Sequence, residues 1–276
     1  MERQGIPQTL GRALINRLSS MPQLSEILRT TALSKIEVVA TWVISQTSIL
    51  SGIAHAYIGN VGIKMFISPD FRAYVDGSRD LDVIVKDIKT LEPLGVRKER
   101  LFSRWRREKM GMSFLYVPEY SPFAVYKLSI PSFQVGSTEY RELDVFCGEV
   151  GPISVHEDDF KRGKKVGYLS SASLTLLIAS HINPLAYTYE RGKRAFFAAI
   201  SSENLDHEAI QLRLEESVEV VKREGISISS YKSGFERVSK KLKMIGNRYR
   251  KSKNIDEKGY VDNWERLCEL IAKLAL

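Results

Sequence analysis

The chain changes its residue pattern near position 155, and this change limits the possible folds more than any other feature. Before it, short segments are typical of β-strands, as in residues 80–86, 123–130 and 140–150, and the first and last of these alternate polar and apolar residues. After it, apolar residues recur at helical spacing, which predicts helices over 171–182, 187–200, 205–224, 231–249 and 261–275. We therefore predict an α/β (α+β) chain, with a small mixed sheet and flanking helices in residues 1–155 and a helical domain in residues 156–276.

Local signals predict further elements in the first part. Ser34 is a suitable N-cap for a helix over 35–51, and residues 55–59 and 60–66 are typical of a buried strand followed by a short helix. Residues 96–109 are expected to be helical, and Pro131 is expected to end the strand over 123–130.

Three aspartates are the candidate catalytic residues. Asp80 and Asp82 are two positions apart in a predicted strand, so both side chains would project from the same face. Two adjacent carboxylates repel each other, and a hard divalent cation such as Mg²⁺ would offset that cost. If the strand that carries Asp144 lies beside Asp82, three carboxylates could hold two metal ions. An Asp-x-Asp pair alone is a weak signal, since a solvated strand face often contains one.

A turn upstream strengthens the interpretation. Residues 57–60 are expected to form the end of a strand and a tight turn into a helix, with Gly59 and Asn60 at the turn. A glycine there lets backbone N–H groups approach a phosphate closely, and an asparagine can add a side-chain donor. An ordinary strand-to-helix turn is the alternative, because Gly-Asn is common in turns.

The order of this turn, the Asp-x-Asp pair and the later aspartate resembles the nucleotidyltransferase superfamily of the DNA polymerase β type. Residues 78–82 are similar to the metal-site motif of AbiEii/AbiGii-type toxin nucleotidyltransferases. The resemblance implies transfer of a nucleoside monophosphate from an NTP to an acceptor hydroxyl. It also implies Mg²⁺ or Mn²⁺ as the cofactor, an antitoxin protein as a candidate partner, and nucleotide contacts by Gly59, Asn60, Lys64, Ser78 and Arg79.

The chain also departs from that family pattern. Asp76 stands where an arginine is usual, His181 where a lysine is usual, and Ala195 where an aspartate is usual. These departures leave a second hypothesis open, in which the chain is a non-catalytic nucleic-acid-binding protein on a degenerate transferase fold.

The charge distribution predicts a polyanionic acceptor. The chain carries 41 basic and 33 acidic residues, a net charge of +8. Residues 97–109 contain seven Lys or Arg with interleaved aromatics, and residues 237–253 contain eight Lys or Arg and no acid. Such segments suit RNA, for example tRNA, although solvated basic faces are the structural alternative. A small acceptor, such as an aminoglycoside, or a protein hydroxyl is a third possibility. The basic segments argue against a cationic antibiotic, which an acidic pocket would suit.

The sequence contains no motif of the P-loop, hydrolase or Rossmann classes. The chain has no Walker A, G-x-S-x-G or G-x-G-x-x-G motif, and its four histidines have no zinc-like spacing. Residues 36–58 are apolar but interrupted by Glu37, Gln46 and His55, so we expect no membrane segment. Cys147 and Cys268 are far apart, which is consistent with free thiols in a reducing cytoplasm.

Overall fold

The computed structural model describes residues 15, 20–47, 49–75, 77, 80–102, 120–253 and 261–276. The chain divides into two compact units. Of the described residues, the sheet unit contains those up to 99, 125–147 and 160–173, and the helical unit contains 100–102, 120–124, 148–159, 174–253 and 261–276. Strands and helices are both abundant, and the predicted α/β (α+β) class is confirmed.

Most of a seven-stranded mixed sheet lies in the sheet unit. The nine strands of the described chain are β1 (His55–Tyr57), β2 (Asp82–Val85), β3 (Arg97–Phe102), β4 (Tyr120–Val135), β5 (Thr138–Cys147), β6 (Glu149–Val150), β7 (Ile153–Ser154), β8 (Gly163–Val166) and β9 (Leu169–Ser173). Seven of them pair in the order β3-β4-β5-β2-β1-β9-β8, and β6 and β7 form a separate hairpin. β2 with β5 and β1 with β9 are parallel pairs, whereas β1 with β2, β4 with β5 and β8 with β9 are antiparallel.

The described helices are α1 (Pro22–Thr30), α2 (Lys35–Gln46), α3 (Gly59–Lys64), α4 (Asp158–Lys161), α5 (Leu174–Ile182), α6 (Tyr189–Ile200), α7 (His207–Arg223), α8 (Ile228–Lys253) and α9 (Val261–Lys273). The predicted cap of α2 is confirmed. The Ser34 side chain accepts a hydrogen bond from the Glu37 N–H, and the Glu37 carboxylate accepts one from the Ser34 N–H. This capping box satisfies two backbone donors that the first turn of the helix would otherwise leave without partners.

One face of the sheet packs into the core of the sheet unit. Val83 and Val85 of β2 and Leu143 and Val145 of β5 lie in the same buried cluster as α2 residues. Because side chains alternate along a strand, Asp82 and Asp144 project from the opposite face. The core therefore fixes which way the two carboxylates point.

Several predicted elements differ in the structure. Residues 97–102 form β3 and not a helix, and residues 103–109 lie outside the described part. Pro131 does not end its strand, because β4 continues to Val135 with a shift of register between Ser129 and Phe133. An irregular pairing accommodates a proline because that residue has no N–H to donate. Helix α2 ends at Gln46, before the predicted position 51.

The β8–β9 hairpin is the largest difference. The sequence predicts only helices after residue 155, and it predicts Ser171 as a helix cap. In the structure Ser171 lies within β9, opposite Tyr57 of β1, and the next helix begins at Leu174. The sheet unit therefore extends to Ser173, and the hairpin belongs to it and not to the helical unit.

The helical unit has an aromatic core. Phe196 of α6 packs edge-on against Trp264 of α9, with ring centroids 5.0 Å apart, and Tyr249 of α8 lies against Phe196 and Phe197. In the parts of the chain that the structure covers, no helix has the length and apolar character needed to span a bilayer.

Candidate active site

Asp82 and Asp144 lie side by side. Strands β2 and β5 run parallel with Asp82 opposite Asp144, and the Asp144 N–H donates to the Leu81 carbonyl over 3.0 Å. Both residues are partly buried and lie on the face of the sheet opposite the core. The predicted pairing of these two strands is confirmed, although they are separated by some sixty residues of chain.

Asp80 is placed differently from the prediction. It lies in a bend two residues before β2 and is exposed, so strand alternation does not align it with Asp82. Burial raises the pKa values of Asp144 and Tyr140 in β5, and the negative charge of Asp80 nonetheless adds to both rises. Among the residues that the structure describes, no three His, Cys, Asp or Glu side chains are grouped so as to hold a metal ion. The described chain therefore brings two of the three aspartates together and leaves the third nearby.

Gly59 lies against the Asp82 carboxylate. The Ile58 N–H donates to the Asp82 carbonyl over 2.9 Å, and this bond holds the turn beside β2. Gly59 has a φ of +56°, and a Cβ added to it would overlap Asp82 Oδ2 and lie 3.0 Å from Asp82 Cγ. Only glycine meets both conditions without strain. Asn60 follows in the first turn of α3 and is half-buried.

Lys127 is a site residue that the sequence motifs do not identify. It lies opposite Asp144 in the β4–β5 pairing, and its ammonium group donates to Asp144 Oδ1. Burial raises the pKa of the Asp144 carboxyl, the Lys127 ammonium opposes this rise, and the charges of Asp80 and Glu142 add to it. A single lysine in the apolar segment 123–130 is the sequence signal that could have indicated a buried carboxylate partner.

Lys64 does not lie where a phosphate contact would need it. Its ammonium group is 3.0 Å from Glu37 Oε1, and the two side chains are 1% and 0% exposed. The predicted phosphate contact of Lys64 is therefore wrong for this structure, because the charge is enclosed in an ion pair with α2. Ser78 and Arg79, for which the resemblance implies nucleotide contacts, and Asp76 lie outside the described residues.

The face of the sheet that carries Asp82 and Asp144 offers oxygen ligands of the type that a hard divalent cation binds. Asp82 and Asp144 offer adjacent carboxylate oxygens, which are the donors that Mg²⁺ and Mn²⁺ prefer. Because glycine has no side chain, residue 59 does not displace the Asp82 carboxylate that lies against it. These oxygen donors are therefore of the type that such a cation binds. One of the two carboxylates, that of Asp144, is already in an ion pair with Lys127.

His181 and Ala195 lie in the core of the helical unit. His181 is 2% exposed, and its Nδ1 lies 2.8 Å from the Leu177 carbonyl, to which it donates. Burial holds the pKa of His181 well below its usual value, and the charges of Arg194 and Arg191 lower it further. Ala195 is fully buried in α6. In this structure neither residue is accessible to a phosphate group.

The basic segment 237–253 forms part of α8, as its spacing predicts. Val238, Leu242 and Ile245 are buried, and the cationic residues that are exposed between positions 237 and 250 are Lys240, Lys241, Lys243 and Arg248. The cations therefore occupy the solvent face of the helix.

In comparisons with known proteins, no family model, no curated protein and no solved structure matches the chain.

Proposed function

We propose that the chain is a metal-dependent nucleotidyltransferase that transfers a nucleoside monophosphate from an NTP to an acceptor hydroxyl. The observation that carries this proposal is the position of Asp82 directly beside Asp144 on parallel strands, with the Gly59 turn against the Asp82 carboxylate. The order of these elements, turn first, then the Asp-x-Asp pair, then the later aspartate, supports the same class.

Each residue has a defined role in this proposal. Asp82 and Asp144 would hold the cation, and Asp80, in the bend before β2, would be the third carboxylate ligand. A bound Mg²⁺ or Mn²⁺ supplies charge stabilisation of the phosphoryl group and activation of the attacking oxygen. Asp144 is the candidate proton acceptor for the acceptor hydroxyl, because its partly buried carboxylate lies directly beside Asp82 on the same face of the sheet. The acceptor oxygen bonds to the α-phosphorus, the bond from that phosphorus to the bridging oxygen breaks, and pyrophosphate leaves.

An RNA such as tRNA is the proposed acceptor. The exposed lysines and arginine of α8 supply four cationic side chains along one helix face, which suits contacts to a phosphate backbone. We also propose a cytoplasmic location, where NTPs and RNA are available and where Cys147 and Cys268 stay reduced. The resemblance to toxin nucleotidyltransferases makes an antitoxin a candidate partner.

A specific observation also favours the second hypothesis, a non-catalytic nucleic-acid-binding protein. The Lys127 ammonium group neutralises Asp144 within the protein, as expected for a carboxylate that no longer holds a metal. In this alternative the basic face of α8 binds RNA, and the aspartates contribute only to the fold.

Transfer of labelled nucleotide tests the proposal. The purified chain is incubated with each α-labelled NTP, bulk tRNA and Mg²⁺ or Mn²⁺, together with Asp82→Asn, Asp144→Asn and a control, Glu139→Gln. The control removes an exposed carboxylate from the same strand as Asp144. We expect incorporation by the wild type and the control, and a loss of about 100-fold or more in both aspartate variants.

The outcome separates the two hypotheses. Absence of incorporation with every NTP, together with absence of Mn²⁺ binding, would reject the transferase. RNA binding that is unchanged in the aspartate variants and falls steeply with salt would then support the binding protein.

A further inference from the structure

Lys127, Asp144 and Asp82 form a row across three neighbouring strands. Lys127 lies opposite Asp144 in the antiparallel β4–β5 pairing, and Asp82 lies opposite Asp144 in the parallel β2–β5 pairing. Residues opposite each other on adjacent strands project to the same face. The sheet order β4-β5-β2 places Lys127 on the side of Asp144 away from Asp82. Asp144 therefore has a cation on one side and a carboxylate on the other.

The ion pair between Lys127 and Asp144 is partly shielded from water. The two side chains are 22% and 23% exposed, which is much less than the surface pairs of the same sheet, such as Arg141 with Glu139 at 71% and 43%. A carboxylate in such a place loses hydration, and a nearby ammonium group offsets that loss. Lys127 thus does for Asp144 what a bound divalent cation would do.

A divalent cation and the ammonium group would compete for the same oxygens. A cation shared by Asp82 and Asp144 needs lone pairs of Asp144, one oxygen of which accepts from Lys127. The two positive charges would also repel each other across one side chain. Both effects disfavour metal binding as long as Lys127 stays on Asp144.

We propose that Lys127 is the internal counter-ion of Asp144, which a divalent cation must displace before the site can act. This inference rests on the proposed function, since it assigns Lys127 as the positioning residue that sets the metal requirement of that site. With no cation bound, the lysine holds Asp144 charged and ordered beside Asp82. When a cation binds, the lysine releases the carboxylate and stays at the rim of the same face.

Direct titration with Mn²⁺, without nucleotide, tests the proposal on the full chain. The variants are Lys127→Met, which removes the counter-ion, Lys127→Arg, which keeps it, and Lys89→Met. The last removes an equal charge from an exposed position outside the sheet. We expect Lys127→Met to bind Mn²⁺ between about threefold and about tenfold more tightly than the wild type, with the other two variants within about twofold. Equal affinity in Lys127→Met and the wild type would overturn the proposal.

Thermal unfolding and amine labelling supply readouts that do not depend on activity. Without metal, Lys127→Met should unfold at a lower temperature than the wild type, and saturating Mn²⁺ should raise its unfolding temperature by more. If this variant does not fold, the wild type still tests the idea by acylation of its lysines and mass spectrometry. Saturating Mn²⁺ should then increase modification of Lys127 relative to Lys89, and unchanged modification would refute displacement.

The two proposals fail in different ways. If the wild type transfers nucleotide and the affinity for Mn²⁺ does not depend on Lys127, only the counter-ion role is wrong. If neither the wild type nor Lys127→Met binds Mn²⁺ or transfers nucleotide, the proposed function is wrong and the counter-ion role is rejected with it.

Discussion

Replacement of Gly59 by alanine should destabilise the protein by about 1.5–3.5 kcal/mol. An L-residue in the left-handed conformation, which Gly59 adopts at a φ of +56°, costs about 1–2 kcal/mol. The new Cβ would also overlap Asp82 Oδ2, so the carboxylate must leave its rotamer, at a further cost of about 0.5–1.5 kcal/mol. The free energy of unfolding is measured by urea denaturation followed by circular dichroism.

Two comparisons separate the contributions. Gly52 has a φ of +75°, and a Cβ added there meets no atom within 4 Å, so Gly52→Ala should show the conformational cost alone. In an Asp82→Ala background the overlapping Oδ2 and Cγ are gone, and the cost of Gly59→Ala should fall towards that of the control. An equal cost for Gly59→Ala and Gly52→Ala in the wild-type background would refute the contact between the turn and the carboxylate.

Three further predictions concern stability. Lys64→Met should lower the free energy of unfolding in urea by about 3–5 kcal/mol, because it leaves the Glu37 carboxylate buried without its cation. Adding Glu37→Gln should recover part of that loss. A small effect of Lys64→Met alone would contradict the buried ion pair. His181 stays neutral in the folded chain, since its pKa is well below 6.5, whereas the unfolded chain binds a proton near that value. The unfolding temperature should therefore fall as the pH is lowered from 7 through 6.5, and His181→Gln should reduce that slope; parallel pH profiles would argue against it. Ser34→Ala should lower the free energy of unfolding by about 1 kcal/mol through loss of the α2 cap, whereas Ser45→Ala, at an exposed position of the same helix, should change it much less.

The strand face from which Asp82 and Asp144 project was predictable, because both residues lie in strands with clear alternation. Leu143 and Val145 on one side of Asp144, like Val83 and Val85 beside Asp82, identify the buried face, and the carboxylates then belong to the other. The sequence does not give the register of a parallel pair whose strands are far apart in the chain. Whether Asp144 lies opposite residue 80 or residue 82 therefore needed the structure.

Tertiary partners explain the predictions that were wrong. Lys64 is 27 residues from Glu37, and its segment alone gives no sign that α2 supplies a buried carboxylate. Strand β9 consists largely of serine and alanine, residues with no preference for strands, so its pairing with β1 overrides the local signal of a helix cap. Gly163, in the neighbouring strand β8, is required for this pairing, because a Cβ there would overlap the Ser171 carbonyl. The sequence alone does not show which strand lies against that glycine.

The return of the chain to the sheet at β9 matters for any attempt to produce the candidate active site as a shorter protein. A fragment that stopped at residue 155 would expose the whole outer edge of β1, the strand that leads directly into the Gly59 turn. Unpaired N–H and C=O groups along such an edge recruit strands from other molecules, so this fragment should aggregate. A fragment that ends after Ser173 keeps that edge covered by residues of its own chain.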